Sequence, residues 1–160
     1  MITLTRMAQE DYQAWFDKMV EDYSKSKTRA GVWNAANAFE LAKKESERLL
    51  FKQMETPNHI FWNIALDNKV IGSLWVMINH YGKGPDRAWI FNIEIDPIYQ
   101  GKGYGREVMM LLESEMQKRG VKEIELNVFA YNTNAIKLYR SLGYQETAQQ
   151  MKKVLDSSHS

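Results

Sequence analysis

An α+β domain with one mixed, mostly antiparallel sheet and helices on both faces is predicted by three features of the sequence. Two helical periodicities come first, over residues 12–23 and 35–50. Strands of period two follow, joined by short turns into an antiparallel meander. The last part alternates strand, helix, strand and helix, which makes the sheet a mixed one.

Each element has a local cause. Ile2 and Leu4 begin a short strand. Tyr12, Trp15, Phe16, Met19, Val20 and Tyr23 recur at helical spacing, and Glu10 and Asp11 suit the positive end of that helix. A polar break over residues 24–31 follows, and then Ala35, Phe39, Ala42, Leu49 and Leu50 mark a second helix that ends before Thr56-Pro57. The break carries Lys25, Lys27, Arg29, Gly31 and, just beyond it, Trp33. It reads either as a solvated loop or as a lid over a substrate groove, with Trp33 the tryptophan placed nearest a substrate.

Ile60, Trp62, Ile64 and Leu66 alternate as a strand, and Asp67-Asn68 turns the chain tightly into a second strand over 70–78. After a turn at 81–86 comes a third, in which Phe91, Ile93 and Ile95 alternate with Asn92 and Glu94. Asp96-Pro97 stops it, because proline has no N–H for a ladder. Helical spacing resumes at Val108, Leu111, Leu112 and Met116 and ends at Gly120. Ile124, Leu126 and Val128 form another strand. Ala135, Ile136, Leu138, Tyr139 and Leu142 form a short helix, with Asn132 or Thr133 to cap its start and Gly143 its end. A last strand is expected over 145–154 and a disordered tail over 156–160, so that residues 1–155 make one domain.

Composition removes several classes of function. The formal net charge is +1 and no long block of like charge occurs, so a nucleic-acid partner is not expected. The absence of cysteine excludes a disulfide framework, a zinc–thiolate site and a cysteine nucleophile. No apolar run reaches the roughly 18 residues of a spanning helix, and the N-terminus is strand-like, so no membrane association and a cytoplasmic location are expected.

The chemistry-bearing stretch is Gln100-Gly101-Lys102-Gly103-Tyr104-Gly105-Arg106, between a strand and a helix. Strand, glycine-rich loop and helix in that order turn backbone N–H groups and a helix N-terminus to one point, which suits an anion such as phosphate. Two familiar phosphate loops do not fit. The dinucleotide fingerprint needs its third glycine three residues after the second, and Gly105 follows Gly103 by two. The nucleoside-triphosphate loop needs Gly-Lys-Ser/Thr, and Gly103 is followed by Tyr104.

Gln100-x-x-Gly103-x-Gly105 after a strand resembles the acyl-CoA pyrophosphate loop of the GNAT-type N-acetyltransferases. A second block downstream, Asn132, Ala135, Tyr139, Gly143 and Tyr144, resembles the other conserved block of the same family, with Tyr144 where phenylalanine is more common. Gly31-x-Trp33 and Glu55-Thr56-Pro57-x-His59 are similar to a bacterial subgroup of uncharacterised members. The resemblance implies an acetyl-CoA-dependent transfer of acetyl to a primary amine in a ternary complex. A non-catalytic acyl-CoA-binding module is the alternative.

The resemblance also implies a site. Backbone amides of Gly101, Lys102, Gly103, Tyr104, Gly105 and Arg106, with Gln100, would hold the pyrophosphate. The pantetheine arm would pair with Ile93 and Ile95 in a gap between two splayed strands, as an added strand does, with a backbone N–H near Ile95 serving the thioester carbonyl. Asn132, Asn134 and Lys137 would lie along the cofactor or order the turn beneath it. Tyr139 by spacing alone is a core tyrosine; the resemblance makes it the general acid that protonates the departing thiolate. Glu94, expected on one strand face with Asn92 and Ile90, reads equally as the base that takes the amine's proton and as a structural partner of a basic residue. No metal is expected, and the protein is expected to be a monomer or a homodimer paired through the last strand.

Overall fold

The computed structural model describes residues 1–155; the expected tail at 156–160 lies outside them. Five strands form one sheet in chain order: β1 (Ile2–Arg6), β2 (His59–Leu66), β3 (Lys69–Ile78), β4 (Arg87–Ile95) and β5 (Glu123–Leu126). The first four pair antiparallel, and β5 pairs parallel to β4. That pairing needs a crossover, which α3 (Tyr104–Lys118) supplies. The remaining helices are α1 (Tyr12–Arg29), α2 (Ala35–Leu49) and α4 (Thr133–Ser141). Among the described residues no helix is long and apolar enough to cross a membrane.

The two faces of the sheet carry separate cores. Trp62, Ile64, Leu74, Val76, Ala88 and Ile90 pack with Val108, Met109, Leu112 and Met116 of α3. Phe61 and Trp75, on the other face, pack with Tyr12, Phe16, Met19 and Val20 of α1 and Ala42 of α2. Helices therefore cover both faces, as expected.

Local chemistry sets the element ends. Asp67 and Asn68 both adopt positive φ (48° and 71°), the geometry of a type I′ hairpin turn, which aspartate and asparagine tolerate better than most residues. Asn34 caps α2 by accepting from the Ala36 N–H at 3.0 Å. At the end of α4 the Tyr144 N–H bonds the Tyr139 carbonyl at 3.0 Å, with Gly143 at φ 95° making the reversal.

Four expectations need correction. The polar break over 24–31 is mostly helix: α1 runs on to Arg29, because Ser24 and Thr28 return their hydroxyls to the Glu21 and Ser24 carbonyls and leave the ladder intact. On α3 the buried face is Val108, Met109, Leu112 and Met116, while Leu111 is 38 % exposed. Ile90 does not share a face with Asn92 and Glu94. Trp75 opposes Asn92 and Val76 opposes Ile90, so Phe91 is an extra residue, and this bulge turns Ile90 to the α3 face. Finally, residues 145–155 form no strand and are exposed throughout. The segment is tethered by side chains instead, Arg140 Nε to Glu146 at 2.6 Å and Lys152 Nζ to the Gly31 carbonyl at 3.2 Å.

Candidate active site

The bulge at Phe91 marks the place where the sheet opens. Parallel pairing of β4 with β5 ends at Ile90 opposite Leu126, although β4 continues to Ile95. The Asp96 N–H bonds the Ile71 carbonyl of β3 at 2.8 Å. Alternation along the strand then turns the N–H and C=O of Ile95 and Ile93 to the opposite edge, toward the gap. In agreement, the Ile95 carbonyl accepts from Gln100 Nε2 at 2.7 Å and has no role in the β3 ladder.

A cavity of about 990 Å³ occupies the gap and extends across the sheet beneath α1 and α2. At the gap end its walls are Asn92 and Ile93 of β4, Leu126 to Phe129 on and after β5, and Asn132, Ala135 and Tyr139 at α4. At the far end are Asp22, Tyr23 and Lys27 of α1, Glu45 and Arg48 of α2, and Trp75, Met77, Tyr81, Trp89 and Phe91 from the β3–β4 region. The two ends communicate directly.

The glycine loop lies at the N-terminus of α3. Gly101 and Gly103 take φ of 76° and 84°, the left-handed region that side chains disfavour. A Cβ built on either meets no heavy atom within 4 Å, so the loop surface is open to a ligand. Gly103 caps α3, whose first intrahelical bond runs from the Glu107 N–H to the Gly103 carbonyl. The N–H groups of Tyr104, Gly105 and Arg106 thus have no helical partner, as at any helix start. An open cradle, free amides and the positive end of a 15-residue helix fit a pyrophosphate. The unpaired edge of β4 fits an extended amide-bearing arm.

The other expected residues are placed as follows. Asn132 caps α4, accepting from the Ala135 N–H at 3.4 Å, so it orders the turn at the cavity edge. Asn134, Lys137 and Lys102 are exposed. Arg106 is drawn aside to the Ser141 hydroxyl at 2.8 Å, linking α3 to α4. Tyr139 is half-buried in the cavity wall, its ring edge-on to that of Tyr144 at 5.8 Å. Burial pushes its phenol above the usual pKa of 10.

Glu94 and Tyr139 are not brought together. Glu94 is absent from the large cavity and lines a separate small one with Trp15, Lys18 and Gly72. Its carboxylate is bonded to Lys18 of α1, which also holds Asp22 at 2.8 Å. Burial works against the Lys18 ammonium, but the hydrogen bonds it donates to Asp22 and Glu94 outweigh it and raise the lysine's pKa. Trp33 lies outside the cavity lining as well, edge-on to Tyr23 with Lys27 over its face.

Neither His59 nor His80 is poised for proton transfer. His59 accepts the Trp75 indole N–H at 2.9 Å and stacks on Phe61 and Phe91, and burial lowers its pKa to about 4. His80 is fully buried behind Tyr81, and burial lowers its pKa too. Sequence reasoning missed Phe91 and Asn127 as cavity residues. Their signal was weak: they sit where β4 and β5 part company, and no local pattern announces where two strands stop pairing.

Comparison with known proteins gives the class to which this fold belongs. The acetyltransferase (GNAT) family matches residues 10–144. YycN of Bacillus subtilis (strain 168), an uncharacterised N-acetyltransferase, is 33 % identical over 156 residues, covering 96 % of this chain and 99 % of YycN. Its crystal structure superposes with a TM-score of 0.93 at 31 % identity, covering 98 % of this chain and all of that one. YdgE of the same organism, also an uncharacterised N-acetyltransferase, is 29 % identical over 96 % of this chain and 98 % of YdgE. The chain belongs to the acetyltransferase (GNAT) family and is an N-acetyltransferase of it. Membership implies acetyl-CoA as co-substrate and an acceptor.

Proposed function

We propose that the protein transfers acetyl from acetyl-CoA directly to a primary amine, with both substrates held in the one cavity. The observation that carries this is the continuity of the cavity from the β4–β5 gap, where Tyr139 lies, to the far end beneath α1 and α2. Direct transfer also suits a chain with no cysteine to hold the acetyl group.

Acetyl-CoA brings an activated thioester; the protein's residues bind, orient and move protons. The amides of residues 101–106 hold the pyrophosphate, and the β4 edge orients the arm beside Ile93 and Ile95. The Ile95 N–H donates to the carbonyl oxygen as negative charge grows there, a contribution that rises on the way to the transition state. The amine nitrogen bonds to the carbonyl carbon while the carbon–sulfur bond breaks. Tyr139 gives its proton to the sulfur and regains one from water. Burial favours the neutral phenol and so keeps that proton available. The amine's surplus proton passes to water. Glu94 serves instead to hold Lys18, and through it α1, against β4.

Calorimetric titration of acetyl-CoA into the wild type and a Gly103→Glu variant tests the reading. The expected result is micromolar binding by the wild type and none by the variant, whose carboxylate would meet the pyrophosphate. Equal binding by both proteins would remove the loop from the site.

A further inference from the structure

We infer that the acceptor is a primary monoamine carrying an aromatic ring; this rests on the transferase reading and specifies its second substrate. The far end of the cavity is walled by rings. Trp75 and Phe91 stack at 4.4 Å between centroids, and Trp89 stands edge-on to Phe91 at 6.4 Å. Tyr81 and Phe51, at the margin, are 74 % and 65 % exposed. Large exposed aromatics bordering a cavity have apolar surface to bury, and among the described residues nothing buries it.

The geometry sets the distance between amine and ring. The reacting centre lies where β4 leaves β5, beside Asn92. Phe91 is the bulged residue next to it, and Trp89 is two residues further back on the same face. A ring two or three bonds from an amine placed at the gap would lie against Phe91 and Trp89.

Charge disfavours the polycationic alternatives. Among the described lining residues the carboxylates are Asp22 and Glu45, balanced by Lys27 and Arg48. Both carboxylates are already engaged, Asp22 by Lys18 and Glu45 by the Tyr23 hydroxyl at 2.9 Å. A polyamine or an aminoglycoside would bring several ammonium groups to a cavity whose two carboxylates are matched in number by two cations. A single ammonium can instead approach over ring faces before it loses its proton.

The test measures thiol release from acetyl-CoA with 2-phenylethylamine, butylamine, spermidine, kanamycin and an alanyl peptide as acceptors. We expect kcat/KM for 2-phenylethylamine to exceed that for butylamine by at least about tenfold, the value of burying one ring. Trp89→Ala should raise KM for 2-phenylethylamine while leaving acetyl-CoA affinity unchanged, and Trp89→Phe should restore most of the loss. Preference for spermidine, kanamycin or the peptide, or equal use of butylamine, overturns the inference and leaves the transferase reading standing. If acetyl-CoA binds but no amine reacts, tryptophan quenching by 2-phenylethylamine on the CoA-saturated protein decides; absence of saturable quenching overturns it. Failure to bind acetyl-CoA overturns both.

Discussion

Tyr139→Phe removes one oxygen from the cavity wall and leaves the packing alone. The ring's edge-on contact with Tyr144 at 5.8 Å does not involve the hydroxyl. The phenols of Tyr144 and Tyr23 are bonded to Glu113 and Glu45, whereas that of Tyr139 is bonded to no described residue. Losing it should change stability by less than about 0.5 kcal/mol. For a chain of this size that is a shift in Tm of about 1–2 °C. General-acid assistance contributes about 10²–10⁴ in rate, so kcat should fall by that factor, about 3–5 kcal/mol of barrier. The assay is thiol release at saturating acetyl-CoA with the best amine of a panel, beside calorimetry to show unchanged acetyl-CoA affinity. Because burial raises the Tyr139 pKa, the wild type should show no loss of kcat through phenol ionisation below about pH 10. A kcat within about threefold of wild type would remove the general-acid role. A fall in Tm of more than about 5 °C would make the hydroxyl structural instead.

Three further outcomes are expected. Glu94→Gln should leave thiol release within about threefold and cost less than about 1 kcal/mol, because the Lys18 pair is partly solvated; a hundredfold loss would restore Glu94 as the base. Gly72→Ala places a Cβ 2.0 Å from the Glu94 carbonyl oxygen, so β3 and β4 must separate. The cost should be about 2–3 kcal/mol by urea denaturation, and no change would show that the strands yield freely. His59 binds its proton at about pH 4 when folded and at 6.5 when free, so the unfolded chain is the better proton acceptor between those values. Stability is therefore full above pH 6.5 and falls toward pH 4 at up to about 1.4 kcal/mol per pH unit from this group. His59→Gln should flatten the urea midpoint's dependence on pH across that window; an unchanged slope would refute the assignment.

Much of this was legible in the residues themselves. The glycine loop, the hairpin at Asp67-Asn68, the cap at Asn132 and the αL stop at Gly143 are short-range devices. Each needs particular side chains, or none, within a few residues, and the chain states them locally. The amphipathic faces of α1 and the β2 strand were legible for the same reason, since period alone assigns them to a core. The absence of cysteine had also excluded a cysteine-bound acetyl intermediate before any fold was known.

What the sequence determined by itself is thus the family, the glycine loop and the class of reaction, because these rest on local backbone geometry and on motif order. The tertiary structure decided who meets whom. A bulge at Phe91 reversed the face of Ile90, since one inserted residue shifts a period of two and is invisible until the partner strand is in place. Glu94 became the partner of Lys18, 76 residues away, because α1 crosses β4 there. The residues at 145–155, strand-like in pattern, stayed exposed because no edge of the sheet receives them. The ring-walled end of the cavity is assembled from α1, β3 and β4, and only their packing places those rings beside the gap where β4 and β5 separate.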